Sequence, residues 1–255
     1  DNTGLDVFQK AYPDRFIDVG ICEQHAVGLA SGLAHAGRRP VAAIFSSFLQ
    51  RAYDQLFHEI SLQKAHVVFG IDRAGVVGND GPTHHGTGDI AYLRPLPNFV
   101  LMAPKDEGEV ARMLAFALDE LKVPSAIRYP RAGAPDLSAL GQAPIRLGRS
   151  ERLCEGEDGA ILAYGAMVDE ALKAAAVARE HGIHLEVVNA RFAKPLDNEM
   201  VRQALRRHPY VIAVEDGALP GGFCSAVLEA ASEAGGPLTK ILRLGLPDRF
   251  VEHAS

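Results

Sequence analysis

Residues 66–75 read His66-Val67-Val68-Phe69-Gly70-Ile71-Asp72-Arg73-Ala74-Gly75, a short apolar run that breaks abruptly into a charged pair and a glycine. A run of this length without polar alternation predicts a strand covered on both faces, the condition of a parallel strand between crossover helices. The flanking sequence repeats the theme. Further strands are predicted at Phe16–Gly20, Pro40–Phe45, Phe99–Met102 and Ser125–Tyr129. Between them, apolar residues recur near a 3.6 spacing at Glu23–Ala36, Phe48–Gln63 and Asp106–Leu121, which predicts helices. The last opens on Asp106 and Glu107, whose carboxylates complement the helix dipole. Strand and helix alternating in this way predict an α/β fold with a mostly parallel sheet.

A break follows. Residues 131–158 crowd Pro135, Gly141, Pro144, Gly148 and Gly156 into a stretch without clear periodicity, which reads as a linker. A second series then begins: strands at Ala160–Tyr164, Leu185–Asn189, Tyr210–Val214 and Leu238–Leu244, helices at Met167–His181, Asn198–Arg207 and Gly222–Ala234. Two doubly wound domains are expected, over 1–131 and 159–255, joined by 132–158. The length of 255 residues suits two cores.

Composition narrows the function. With 26 basic and 32 acidic side chains, the net charge is −6, and no concentrated positive field offers itself to nucleic acid. Apolar runs such as Val41–Phe45 and Ile161–Tyr164 fall far short of the ~20 residues that cross a bilayer, so no membrane span is expected. Cys22, Cys154 and Cys224 are scattered, with no C-x-x-C pair, which favours a reducing compartment. The opening Asp1-Asn2-Thr3-Gly4 carries no targeting pattern and reads as an interior cut.

Ligands of open α/β sheets bind beyond the carboxyl ends of the strands, and four predicted strand exits stand out. Gly20-Ile21-Cys22-Glu23-Gln24-His25 puts a glutamate in the first turn of a helix. On spacing alone, Glu23 is either a dipole-complementing carboxylate, worth ~0.3–1 kcal/mol, or an acid–base group. His25 reads as a packed or exposed histidine rather than a base. Phe45-Ser46-Ser47-Phe48-Leu49-Gln50-Arg51 leaves a strand through two serines, and Phe48 is either a core residue or a platform for a flat heterocycle. Asp72-Arg73-Ala74-Gly75 continues through Gly78-Asn79-Asp80-Gly81-Pro82-Thr83-His84-His85-Gly86 to Asp89. That loop exceeds the roughly 2–6 residues usual for such connections and reads as a binding loop. His84 and His85 point apart in extended chain and lack spaced partners, so they make a poor metal pair. Arg128-Tyr129-Pro130-Arg131 ends a strand with guanidiniums expected to face opposite ways. Each either holds a carboxylate or phosphate in the strand-end crevice or forms an ordinary surface ion pair.

The ordered set resembles a known family. Asp18-Val19-Gly20-Ile21-Cys22-Glu23-Gln24-His25-Ala26, Ser47-Phe48-Leu49-Gln50-Arg51-Ala52-Tyr53-Asp54-Gln55, Asp72-Arg73-Ala74-Gly75 and Asp80-Gly81-Pro82-Thr83-His84 carry the resemblance in the first half. Arg128-Tyr129-Pro130-Arg131, Ala190-Arg191-Phe192 and Lys194-Pro195-Leu196-Asp197 extend it across nearly the whole chain. These stretches resemble the 1-deoxy-D-xylulose-5-phosphate synthases, thiamine-diphosphate enzymes related to transketolase. The resemblance implies a pyrimidine-binding domain, begun late, over 1–131 and a transketolase C-terminal-like domain over 159–255.

It also implies roles. Glu23 would hydrogen-bond N1′ of the cofactor's aminopyrimidine, favouring the imino tautomer whose N4′ accepts the thiazolium C2 proton. Phe48 would pack on that ring, with Arg51 one helical turn away. Arg73 and Arg131 would hold substrate anions, while Asp80 and His84 line the substrate mouth, His84 moving a proton to or from the new alkoxide. Phe45 stands on the substrate side where family members often carry tyrosine, so a phenolic hydrogen bond is in question there. The implied reaction decarboxylates pyruvate and joins the two-carbon remainder to glyceraldehyde 3-phosphate. Homodimers in the bacterial cytoplasm or plastid stroma, serving isoprenoid and thiamine biosynthesis, complete what the resemblance implies.

One departure is large. The family holds the cofactor diphosphate and Mg2+ on a separate domain marked by Gly-Asp-Gly, and here the nearest strings are Glu157-Asp158-Gly159 and Asn79-Asp80-Gly81. The chain is therefore expected to be a fragment, or one of two chains, partnered by an N-terminal diphosphate-binding domain or chain, without metal ligands of its own and inactive alone. Leu246-Pro247-Asp248-Arg249-Phe250 resembles a segment that continues further in the family. The alternatives are a C-terminal subunit of a transketolase, the β chain of a 2-oxoacid dehydrogenase, or a non-catalytic module with the same fold. Glu215-Asp216-Gly217 with Gly221-Gly222-Phe223 reads as a structural turn with dimer contacts.

Overall fold

A computed structural model describes residues 4–235 and 238–254. The reading of Asp1–Thr3 as an interior cut lies outside the described residues. Strands β1 (Val41–Phe45), β2 (Val68–Asp72), β3 (Val100–Met102) and β4 (Ser125–Arg128) pair in parallel in the order β1-β2-β4-β3. Burial on both faces explains why this sheet forms. Along β2 and the residue before it, Val67, Phe69 and Ile71 pack with Leu49, Leu56, Ile60 and Leu101 on one side. Val68 packs with Val100, Met102, Met113, Phe116 and Ile127 on the other. Strict alternation of apolar and polar residues is absent because neither face meets water.

The second sheet contains β5 (Glu151–Cys154), β6 (Gly159–Ala163), β7 (Leu185–Asn189), β9 (Val211–Ala218) and β10 (Ile241–Leu246), in the order β10-β9-β6-β7-β5. Ile161, Ala163 and Val187 meet the helix Met167–Glu180 through Val168, Ala171 and Ala175. Ala160, Leu162, Val211 and Ala213 face the helix Phe223–Glu233, in a cluster that also contains Phe69 of the first sheet. One apolar body therefore runs between the two sheets and joins the domains.

Three expectations are corrected. Phe16–Gly20 is not a strand: Asp18 Oδ1 accepts the Gly20 N–H at 2.8 Å, Gly20 has φ +66°, and Ile17 is 57% exposed. With no neighbour covering it, the segment turns on its own side chain. The stretch read as linker, 132–158, contains β5, which pairs antiparallel with β7 at Glu151↔Asn189. An edge strand with one solvated side lacks the continuous apolar run that marks the central strands. A further strand, β8 (Phe192–Lys194), crosses into the first sheet and pairs antiparallel with β3, Met102↔Phe192. The predicted helix from Phe48 begins earlier, at Ser46 directly off β1, and changes pitch along 46–61, ending in a π-helical turn at Leu56–Ser61.

Where β8 crosses, charges are buried between the domains. Arg191 is 1% exposed; its Nε donates to Glu109 Oε1 at 2.7 Å, and its Nη2 to Glu151 Oε2 at 2.8 Å and Ala143 O at 3.0 Å. Lys105, fully buried, lies 3.8 Å from Glu109 and 3.5 Å from Glu151. Glu109 and Lys105 belong to the first sheet's surroundings, Arg191 and Glu151 to the second's. Asp106, read from the sequence as a dipole-complementing first-turn residue, stands just before the helix and caps it by accepting the Glu109 N–H at 2.7 Å.

Candidate active site

The parallel register delivers the candidate residues to one edge. Phe45 lies opposite Asp72, and Ile71 opposite Arg128, so three neighbouring strands end side by side. The helix Glu23–His35 starts beside the same edge, with Glu23 7% exposed and His25 exposed.

A chain of contacts links the predicted residues. Arg51 Nη1 reaches Glu23 Oε1 at 3.3 Å, the single hydrogen bond to that carboxylate among the described residues. The Arg51 guanidinium stands 4.8 Å from the centre of the Phe48 ring. Phe48 has Phe45 at 5.5 Å and the His84 imidazole, edge-on, at 5.1 Å. Over Phe45 sits the Arg73 guanidinium, at 3.6 Å. Arg73 Nη1 pairs with Asp72 Oδ2 at 2.6 Å, and its Nε lies 3.8 Å from Asp80 Oδ2. Arg131 Nη1 holds that same Asp80 oxygen at 2.7 Å. Glu23, Arg51, Phe48, Phe45, His84, Arg73, Asp80 and Arg131 thus form one continuous surface.

The two histidines diverge. His84 faces Phe48 and shares a 2.9 Å contact with the Thr83 hydroxyl. His85 is buried, its Nδ1 accepting the Val77 N–H at 3.1 Å, and it shapes the loop. The two arginines of the strand end also part. Arg131 is half exposed, whereas Arg128 is buried, with Nε 3.0 Å from Asp89 Oδ2 and Nη1 2.5 Å from Asp216 Oδ1. Burial works against the charge of Arg128, but Asp216 and Asp89 outweigh it and hold its pKa above the ordinary value. Burial raises Tyr92 and Tyr164 beside this group, and Tyr129 to about 12.

Sequence reasoning missed Asp89 and Asp216. Asp216 was read as part of a structural turn, and its partner lies 88 positions away in the chain. An acidic residue at the far end of a predicted central strand was the available signal. Glu215 beside it is structural: its carboxylate accepts the Phe223 and Cys224 N–H groups at 2.9 and 2.8 Å, capping a helix. A cleft of about 200 Å³ in the second domain, lined by Arg149, Arg152, Glu186 and Asp197, lies apart from the candidate site. Its carboxylates are already engaged, Asp197 by Ser150 and Met200, Glu186 by Arg152.

This two-sheet architecture, with its strand-end cluster, has known counterparts. The family described as transketolase, pyrimidine binding domain, matches residues 2–135, and that described as transketolase, C-terminal domain, matches 148–255. The solved structure titled split gene transketolase, inactive beta4 tetramer, superposes with a TM-score of 0.86 at 33% identity, covering 94% of this chain and 77% of that one. The chain belongs to the transketolase family. Within it, the sequence is similar to the 1-deoxy-D-xylulose-5-phosphate synthases. It is 56% identical to that of Thermomicrobium roseum, covering all of this chain and 40% of the relative. With that of Thermosynechococcus vestitus it shares 53% identity over 99% of this chain and 40% of the relative. The chain thus spans about 40% of the length of these relatives.

Proposed function

We propose that this chain is the pyrimidine-binding (1–131) and C-terminal (159–255) portion of a thiamine-diphosphate-dependent synthase. Its reaction would decarboxylate pyruvate and condense the two-carbon unit with glyceraldehyde 3-phosphate to give 1-deoxy-D-xylulose 5-phosphate. The observation that carries the proposal is Glu23: a carboxylate 7% exposed, with Arg51 as its single hydrogen-bond partner among the described residues, and with the half-buried Phe48 ring against the same guanidinium. A buried carboxylate retains acceptor capacity that a single 3.3 Å hydrogen bond does not exhaust. The hydroxyls of Ser46 and Ser47 are also buried without a hydrogen-bond partner among the described residues. This set fits the aminopyrimidine half of thiamine diphosphate, a flat ring rich in nitrogen.

When bound, the cofactor supplies the electron sink for decarboxylation. Glu23 would hold or release a proton at a nitrogen of the aminopyrimidine, and Phe48 would offer an aromatic face to that ring. Arg51, whose Nη1 reaches Glu23 Oε1 at 3.3 Å, keeps Glu23 oriented. Arg73 and Arg131 offer guanidinium forks to the carboxylate and phosphate of the substrates. His84 moves a proton at the acceptor's aldehyde oxygen, and Phe45 seals the floor under Arg73. The cofactor's diphosphate and Mg2+ fall to a diphosphate-binding domain or chain outside these residues, and the working assembly to a homodimer in the cytoplasm or plastid stroma.

The test combines this chain with a diphosphate-binding portion and measures thiamine-diphosphate affinity by calorimetry and product formation by chromatography. Wild type binds and turns over, and Glu23→Ala lowers kcat by at least about 100-fold with the fold retained, as loss of an acid–base group demands. Unchanged turnover in Glu23→Ala removes the proposal.

A further inference from the structure

The loop that carries Asp80 and His84 is closed at its base. Gly75 and Gly86 exchange two backbone hydrogen bonds, Gly75 N–H to Gly86 O at 2.9 Å and Gly86 N–H to Gly75 O at 2.8 Å. The pinch tolerates no side chain. A Cβ on Gly86 would meet Arg73 O at 2.2 Å, and one on Gly75, whose φ is +74°, would meet Asp216 Oδ2 at 2.6 Å. Asp216 belongs to β9 of the second sheet. The same strand grips the other foot of the loop, Ala218 N–H donating to Thr87 O at 2.8 Å.

Arg128 ties these parts together. Its Nη1 meets Asp216, its Nε meets Asp89, and its Nη2 lies 3.5 Å from Gly86 O. A guanidinium fork saturated in three directions has its plane fixed, and with it the position of each group it touches.

We propose that Asp216 is a positioning residue of the C-terminal domain: through Arg128 and the Gly75–Gly86 pinch it sets where Asp80 and His84 stand relative to Arg73 and Arg131. The second domain thereby tunes recognition of the phosphorylated aldehyde acceptor, a claim that rests on reading this loop as the acceptor mouth. Neutralising Asp216 leaves Arg128 paired one-to-one with the fully buried Asp89, so no uncompensated charge remains in this cluster. What is lost is the fixed foot of the loop. Displacing reacting or binding groups by about an ångström costs roughly 10- to 100-fold in rate constants of this kind.

In the complete enzyme, Asp216→Asn is expected to raise KM for the aldehyde phosphate at least tenfold. KM for pyruvate, cofactor affinity and Tm stay close to wild type, and amide hydrogen exchange at 75–86 quickens. Asp216→Glu, which keeps the charge one methylene further out, restores most of the acceptor KM. An acceptor KM within twofold of wild type in Asp216→Asn overturns the inference, as does a parallel loss of pyruvate binding and Tm. If the wild-type enzyme does not use the aldehyde at all, it is the functional reading that fails. The exchange measurement then decides alone: unchanged protection at 75–86 overturns the positioning role, and faster exchange sustains the clamp.

Discussion

Replacing Arg191 by alanine tests whether the two domains are held by buried charge. The side chain is 1% exposed and makes two carboxylate contacts, 2.7 Å to Glu109 and 2.8 Å to Glu151. Removing it leaves both acids in an interior where Lys105, at 3.8 and 3.5 Å, is their nearest remaining buried cation among the described residues. Breaking a buried pair from one side costs about 3–5 kcal/mol, because the remaining charge has no water to return to. For a protein of this size that is a fall of roughly 6–20 °C in Tm, read by calorimetry. The control is Arg39→Ala. Its pair with Asp119 is as short, 2.6 Å, but the side chains are 59% and 67% exposed. An exposed pair of that kind is worth less than about 1 kcal/mol. Separations are close, 2.6 Å against 2.7 and 2.8 Å, so what distinguishes the two arginines is burial together with the second carboxylate that Arg191 holds. Equal Tm shifts for the two variants, or a shift under about 2 °C for Arg191→Ala, would refute the reasoning.

Other consequences are open to direct measurement. Burial raises the pKa of Glu215 against the pull of the Cys224 and Phe223 N–H groups, so the folded chain holds that proton more tightly than the unfolded one. Its contribution to stability is complete below the ordinary carboxylate value and is lost as pH rises through the raised one. Glutamine does not titrate. The urea midpoint of Glu215→Gln should therefore gain on wild type as pH rises above the ordinary carboxylate range, and a flat or falling difference contradicts the shift. Gly86→Ala would put a methyl 2.2 Å from Arg73 O, and should cost about 1–3 kcal/mol by denaturant titration. Gly88→Ala, whose Cβ meets nothing within 4 Å, should stay within about 0.5 kcal/mol. Arg73→Ala and Arg131→Ala should each weaken acceptor affinity by at least ~1 kcal/mol in the complete enzyme, and wild-type affinity in either removes that arginine from the acceptor site.

How much of this was legible depended on where a residue's partners lie. Strands β2, β4 and β6 were readable because burial on both faces writes an unbroken apolar run into the sequence. At β5 and β8 the signal failed for one reason: each is an outer strand, three or four residues long, whose pairing is chosen by a distant neighbour. Phe16–Gly20 erred in the other direction, since β-branched residues without a covering neighbour do not make a strand. In the candidate site, Phe48, Arg51 and Arg73 follow strand exits that the sequence showed, whereas Glu23 opens a helix whose predicted preceding strand does not form; the structure brings the four into one contact chain. Asp89 and Asp216 were invisible as partners of Arg128, because nothing local to either announces a guanidinium 39 or 88 positions away.

The two arginines of Arg128-Tyr129-Pro130-Arg131 show how one strand end divides labour. Arg128 and Arg131 are the same chemical group three residues apart, yet their freedom to meet a ligand is opposite. Arg128 is enclosed, and each of its three nitrogens has a partner: Asp89, Asp216 and, at 3.5 Å, Gly86 O. An arriving phosphate would have to displace two carboxylates and enter the core, at a desolvation cost that a third anion cannot offset. Arg131 is 51% exposed and, among the described residues, is paired with Asp80 alone, which is itself 32% exposed and shared with Arg73. Exchanging that shared carboxylate for a phosphate costs little, because the competing pair is already solvated and weak. Under the proposed function, anion recognition at this edge falls first to Arg131, because Arg73 is 8% exposed and already paired with Asp72 at 2.6 Å. Arg128, held by Asp216 of the second sheet, instead touches the base of the loop that carries Asp80, at Gly86 O.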